Sequence, residues 1–183
     1  MHLSNSVKTS LNRSAPTQGK VMEELLTTIE ENGLEGIQHY LWETLESEYH
    51  YDSKACSCSG EQLKVALCGV VEAALAGLKG PKASHLHTAF TIARGRGPIA
   101  PAPYMQDASR AISQAIAGMA PNYGDPSGLA QKLIGLAVSY TLETPRVPGL
   151  YEKPALVQGI ARQITDMLEF MAFGLIYEPK NNS

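Results

Sequence analysis

The chain has few cysteines and no long apolar run, and both shortages narrow what kind of protein it is. Its 183 residues include only three cysteines, at Cys56, Cys58 and Cys68. A low, odd count argues against a disulfide-stapled secreted domain and favours a reducing compartment, so we expect a cytoplasmic protein. The most apolar window, residues 63–78, contains Lys64 and Glu72 and is too short to span a bilayer. The sequence therefore predicts no membrane association.

Positive charge is not in excess either. Fifteen lysines and arginines stand against eighteen acidic residues, which gives a net charge of -3. Proteins that bind nucleic acids need a basic surface to neutralise phosphates, so we expect no nucleic-acid partner. The charged fraction of 18% is low beside an ordinary apolar fraction of 44%. This deficit indicates that a partner or a second copy covers part of the surface.

The polar start of the chain contrasts with the apolar periodicity of the rest. Residues 1–19 lack the apolar stretch of a secretory signal and predict a flexible N-terminal tail. The length suits one domain, so we expect a single helical domain over 20–178 and a short C-terminal tail over 179–183.

Apolar residues recur at helical spacing through almost all of that domain. The spacing predicts an all-α bundle of about seven helices, and few windows alternate as a strand would. Asn32-Gly33 predicts the end of the first helix, and Asp125-Pro126 predicts the start of a later one. Two glycines and three prolines in residues 94–103 predict a surface loop.

Two segments of the predicted bundle have special patterns. Residues 60–79 are apolar on nearly all sides and rich in alanine and glycine, which is typical of a buried central helix.

A long C-terminal helix is predicted from near Pro154 to about Tyr177. Beyond its main stripe it has a second apolar face that includes Leu168, Phe170, Phe173, Ile176 and Tyr177. A terminal helix in a small bundle buries one face easily, so we expect the second face to bind another copy. The alternative is that both faces are buried within one protomer.

A histidine and two cysteines form the strongest chemical pattern. Thiolate and imidazole are ligands that zinc and copper prefer, which makes His50, Cys56 and Cys58 candidate metal ligands, with His85 and His87 as further candidates. Structural zinc sites favour wider ligand spacing than Cys56-Ser57-Cys58, so two other interpretations stay open. One is a redox-active pair of thiols, and the other is a small polar loop. Cys68, inside the apolar segment, is predicted to be a core residue.

Two weaker patterns suggest binding sites. Arg94 and Arg96 lie among glycines in the predicted loop and are candidates for binding an anion, although they could equally be paired with nearby acids. The aromatic residues Tyr40, Trp42 and Phe90 are candidates for lining a pocket for an apolar ligand, with plain core packing as the alternative. No motif predicts a cofactor.

No nucleophile elbow or other catalytic signature is present in the sequence. We therefore hypothesise a non-enzymatic helical interaction or regulatory module, homodimeric through its C-terminal helix, with a small apolar ligand as a candidate effector. The alternative hypothesis is a metal- or anion-binding protein or enzyme that uses the His50/Cys56/Cys58 loop and the Arg94/Arg96 loop.

Overall fold

The computed structural model describes residues 18–48, 51–79, 83–96, 105–144, 149 and 152–178. These residues form six α-helices and one short 3-10 turn at Ser53–Ala55, and they include no strand. The predicted all-α bundle is therefore confirmed. The α-helices are α1 (Gln18–Glu48), α2 (Gln62–Lys79), α3 (Ala83–Arg96), α4 (Gln106–Met119), α5 (Pro126–Leu142) and α6 (Pro154–Ile176).

Helix α1 is broken where the sequence predicted a stop. Gly33 has φ 66° and ψ −154°, which divides α1 into two helical segments. Glycine adopts this left-handed φ without the steric cost that a Cβ would bring. The start of α1 corrects the predicted tail, because Gln18 and Gly19 are already helical. Residues 1–17 and 179–183 of the predicted tails lie outside the described residues.

Helix α2 lies at the centre of the bundle, as predicted. It contacts all the other α-helices and the 3-10 turn. Its buried side chains point in several directions and include Leu63, Leu67, Val70, Leu75 and Leu78. The helix begins at Gln62 rather than at residue 60.

A local capping signal sets the start of α5, and a hydrogen bond to α1 holds the residue that precedes α4. Asp125 caps α5, and its Oδ1 accepts the backbone N–H of Gly128 at 3.0 Å, while Pro126 occupies the first turn. Met105 precedes α4 with a left-handed φ of 55°, and its N–H donates to the carboxylate of Glu46 on α1. None of the helices in the described ranges is both long and apolar enough to cross a membrane.

Candidate functional site

Residues 51–58 form a loop that lies against α2. Close packing on a glycine and a capped 3-10 turn define its position. A Cβ added at Gly69 would lie only 2.7 Å from Cε1 of Tyr51, so the loop approaches α2 this closely because that position is glycine. Asp52 caps the 3-10 turn, since its Oδ1 accepts the N–H of Lys54 at 2.9 Å. The loop therefore has a defined path over the N-terminal half of α2.

A second connection joins the loop to Glu72 on α2. The backbone N–H of Ser57 donates to Oε2 of Glu72 at 2.9 Å, and the Ser57 hydroxyl donates to Oε1 at 2.7 Å. Hydrogen bonds to both carboxylate oxygens fix the orientation of the Glu72 side chain. The carboxylate is thus positioned beside the cysteine that precedes Ser57.

Two thiols and this carboxylate come together at the loop–helix contact. Sγ of Cys56, Sγ of Cys68 and a carboxylate oxygen of Glu72 all lie within 4.8 Å of one another. The Cys68 thiol donates to Oε2 of Glu72 at 3.5 Å. Cys68 and Glu72 are four residues apart, so they share one face of α2. We call these three residues the thiol cluster.

The thiols of this region differ in their surroundings. Burial raises the pKa of the Cys68 thiol far above its ordinary value of 9.0, and the negative charge of Glu72 raises it further. This argues against Cys68 as an activated thiolate, because reactive cysteines need a lowered pKa. Cys58 is not in the thiol cluster, and its Sγ lies 3.9 Å from the carbonyl oxygen of Ser59.

The structure changes the ligand set that the sequence suggested. Cys56 joins Cys68 and Glu72, which the sequence placed in the core segment, rather than Cys58. His50 lies outside the described residues. His85 lies against α1 instead, with its Nε2 3.6 Å from Oε2 of Glu24 and its ring centroid 6.2 Å from that of Tyr40. The four-residue spacing of Cys68 and Glu72 is the signal in the sequence that could have suggested their pairing.

Arg94 and Arg96 do not lie in a loop, which corrects the predicted boundary. Both belong to the last turn of α3, because a single glycine between them costs a helix only about 1 kcal/mol. Nη1 of Arg94 lies 3.4 Å from Oε1 of Glu143, the residue that caps the C-terminal end of α5. This pairing matches the alternative in which an acid neutralises the arginine. The rest of the predicted loop, residues 97–103, is outside the described residues.

The three aromatic residues of the suggested ligand pocket lie in or beside the core. Trp42 and Phe90 are buried in the core, and Tyr40 is half-buried at its edge. A cleft of about 810 Å³ lies elsewhere, between the α4–α5 connection and the C-terminal end of α6. It is lined by residues 119–124 and 175–178. The Tyr40–Trp42–Phe90 pocket stays a prediction.

The predicted interface on α6 needs one correction and gains new members. Leu168 is 0% exposed and lies in the core, because it continues the stripe of Ala161, Ile164 and Ala172 that faces the bundle. Phe173 and Ile176 are half-buried against the core. Of the residues on the predicted second face, Phe170 and Tyr177 are the exposed ones, Tyr177 at 61%.

Two of the apolar residues that α6 leaves in solvent, Leu156 and Met167, lie outside the predicted second face. Phe170 is 79% exposed, Leu156 is 48% exposed and Met167 is 38% exposed. Together with Gly159, Gln163, Gly174 and Tyr177 they recur every three or four residues, and so lie on one side of the helix. We call this set the outer face of α6.

Comparison with known protein families, curated proteins and solved structures finds no match to this chain.

Proposed function

We propose that this protein is a non-enzymatic, self-associating helical module that pairs with a second copy through the outer face of α6. The observation that carries the proposal is the exposure of Phe170, which is 79% exposed between the exposed residues Met167 and Tyr177 of the outer face. An isolated exposed apolar residue needs no explanation, but a contiguous strip along a helix is typical of an interaction surface.

The outer face has the dimensions of a helix-pairing surface. From Leu156 to Tyr177 it runs about 32 Å at about 1.5 Å per residue. A Cβ at Gly159 or Gly174 would meet no atom within 4 Å, so the protomer itself does not require glycine there. Small residues on such a face allow a second helix to approach closely.

A second copy suits this face because the face is complementary to itself. In an antiparallel pair centred between Asp166 and Met167, Leu156 lies opposite Tyr177, and Gly159 lies opposite Gly174. Large residues thus meet at the ends of the contact, and the glycines leave room for the backbones. A two-fold dimer needs this kind of self-matching surface.

The charges beside the strip fit the same arrangement. Arg162 and Glu169 are seven residues apart and lie along one edge of the outer face. In the antiparallel pair, that edge of one helix runs beside the same edge of the other. Arg162 of each copy then lies near Glu169 of its partner, and the two opposite-charge contacts favour this register.

Analytical ultracentrifugation over a concentration series tests the pairing. We expect reversible formation of a dimer by the wild-type protein and a monomer for Phe170→Glu, whose helical circular dichroism should match the wild type. Leu26→Glu is the matched control, because Leu26 is an exposed leucine on α1. It should leave the dimer unchanged.

A wild type that is monomeric at every concentration, or a Phe170→Glu variant that still dimerises, would contradict the proposal. Charge reversal tests the register separately. Arg162→Glu and Glu169→Arg should each weaken the dimer, and the double variant should restore it. Failure of that restoration would overturn the antiparallel arrangement alone.

A further inference from the structure

The thiol cluster has no role in the proposed dimer, and its chemistry points to a different activity. We propose that Cys56, Cys68 and Glu72 bind a zinc(II) ion through two thiolates and one carboxylate, with a fourth position for water. The site joins loop 51–58 to the central helix. Three protein ligands and one open position form a known type of zinc coordination.

The spacing of the donor atoms matches that of zinc ligands. Zinc bonds of about 2.3 Å to sulfur and about 2.1 Å to oxygen, at a tetrahedral angle, put the two ligand atoms about 3.6 Å apart. Sγ of Cys68 and Oε2 of Glu72 are separated by 3.5 Å. The third donor, Sγ of Cys56, lies within 4.8 Å of Sγ of Cys68 and of a carboxylate oxygen of Glu72. Two sulfurs on one zinc ion are about 3.8 Å apart, so a shift of about 1 Å at most completes the set.

The ligands are held in place before any ion binds. Cys68 and Glu72 project from one face of a buried helix, and Ser57 donates two hydrogen bonds to the Glu72 carboxylate. The close packing of Tyr51 on Gly69 brings the loop down onto the same part of α2. Outer contacts of this kind orient the ligands of metal sites and contribute to affinity.

The donor set also selects the class of ion. Thiolates favour zinc and other borderline or soft transition metals, whereas calcium and magnesium require mostly oxygen ligands. On binding, each of the two thiols loses its proton to solvent, and two zinc–sulfur bonds and one zinc–oxygen bond form. The bond from the Cys68 thiol hydrogen to Glu72 is replaced by the shared ion.

Zinc titration of the reduced, chelator-treated full chain tests the site. We expect one zinc ion per chain by isothermal titration calorimetry. Cys56→Ser should lower the affinity more than about 100-fold, because it removes a ligand and not just an outer contact. Glu72→Gln keeps the size of the side chain and should also weaken binding strongly. Cys58→Ser is the matched control, since Cys58 lies two residues away but outside the cluster, and its affinity should equal that of the wild type.

Cobalt(II) supplies a readout that a structural effect of the mutations would not produce. Bound cobalt should show a thiolate-to-metal charge-transfer band, and Cys56→Ser should reduce its intensity by about half because one of two thiolates is lost. Cys68 is buried, so Cys68→Ser is interpreted only if its circular dichroism matches the wild type. Cys56 and Glu72 are half-buried, which keeps the test independent of that variant.

Two results would overturn the site. The first is that the reduced protein takes up no zinc or cobalt. The second is that Cys56→Ser and Cys58→Ser lose affinity equally. If no metal binds, a mass loss of two hydrogens on mild oxidation, mapped to a Cys56–Cys68 disulfide, would identify a redox pair instead.

Discussion

Helices α2 and α6 are both rich in apolar residues, yet they are buried to different extents in the bundle. Helix α2 contacts every other helix and buries side chains in several directions, whereas α6 packs chiefly against α2 and α5. Phe170 on α6 is consequently 79% exposed while Val70 on α2 is 0% exposed. Apolar content shows that a helix has surface to bury, but the number of neighbouring helices decides how much of it the protomer buries.

The largest expected loss of stability comes from a charge introduced at Val70 on α2. Val70→Asp places an unpaired carboxylate in the core, where the desolvation cost is several kcal/mol and comparable to the stability of a whole domain. We expect loss of helical circular dichroism or of a cooperative thermal transition. Val70→Ala, which removes volume without adding charge, should stay folded. A soluble, cooperatively folded Val70→Asp would contradict the central position of α2.

A smaller loss of stability should distinguish two adjacent residues of α6. Leu168 is 0% exposed and Met167 is 38% exposed, so Leu168→Ala leaves a cavity and Met167→Ala does not. We expect a loss of about 2–5 kcal/mol for Leu168→Ala and a change within about 0.5 kcal/mol for Met167→Ala. Urea denaturation in dilute protein, below the concentration of dimer formation, measures both. Equal losses would mean that α6 is enclosed on both sides.

Local signals made much of the fold predictable from the sequence. The positive φ of Gly33 follows from an Asn-Gly stop, and the cap on α5 follows from Asp125 before Pro126. Periodicity also identified two apolar faces on α6. It could not decide which face the bundle covers, because that depends on where α2 and α5 lie. Leu168 was therefore assigned to the wrong face, and the exposed residues Leu156 and Met167 were left out of the predicted second face.

The thiol cluster was only partly predictable, for a related reason. Cys56 is conspicuous in a polar loop, but its neighbours in space are twelve and sixteen residues further along the chain. Cys68 resembles any small core residue in sequence, and Glu72 resembles an interruption of an apolar helix. Their proximity to Cys56 depends on the path of the loop over Gly69, which no local pattern encodes. The partner of Arg94 could not be predicted for the same reason, since Glu143 caps the end of α5 and is far along the chain.

The smallest expected effect concerns the ion pair that joins the two helices. Nζ of Lys64 on α2 lies 3.0 Å from Oδ1 of Asp166 on α6, and both side chains are partly exposed. Solvent-exposed pairs contribute little and are screened by salt. A double-mutant cycle with Lys64→Met and Asp166→Asn should give a small coupling energy that disappears at high salt. A coupling that persists at high salt would mean that water is excluded from this edge of α6.

The pH dependence of the pair has a definite sign. The hydrogen bond and negative charge of Asp166 raise the pKa of Lys64 above its ordinary value of 10.5. A raised pKa of a cationic group means that its stabilisation is complete below the unfolded value and is lost as the pH rises through the folded value. The coupling energy should therefore be constant from neutral pH to about pH 10 and decline above it. A coupling so much weaker than the loss expected for Leu168→Ala would show that apolar packing, and not the ion pair, holds α6 against α2.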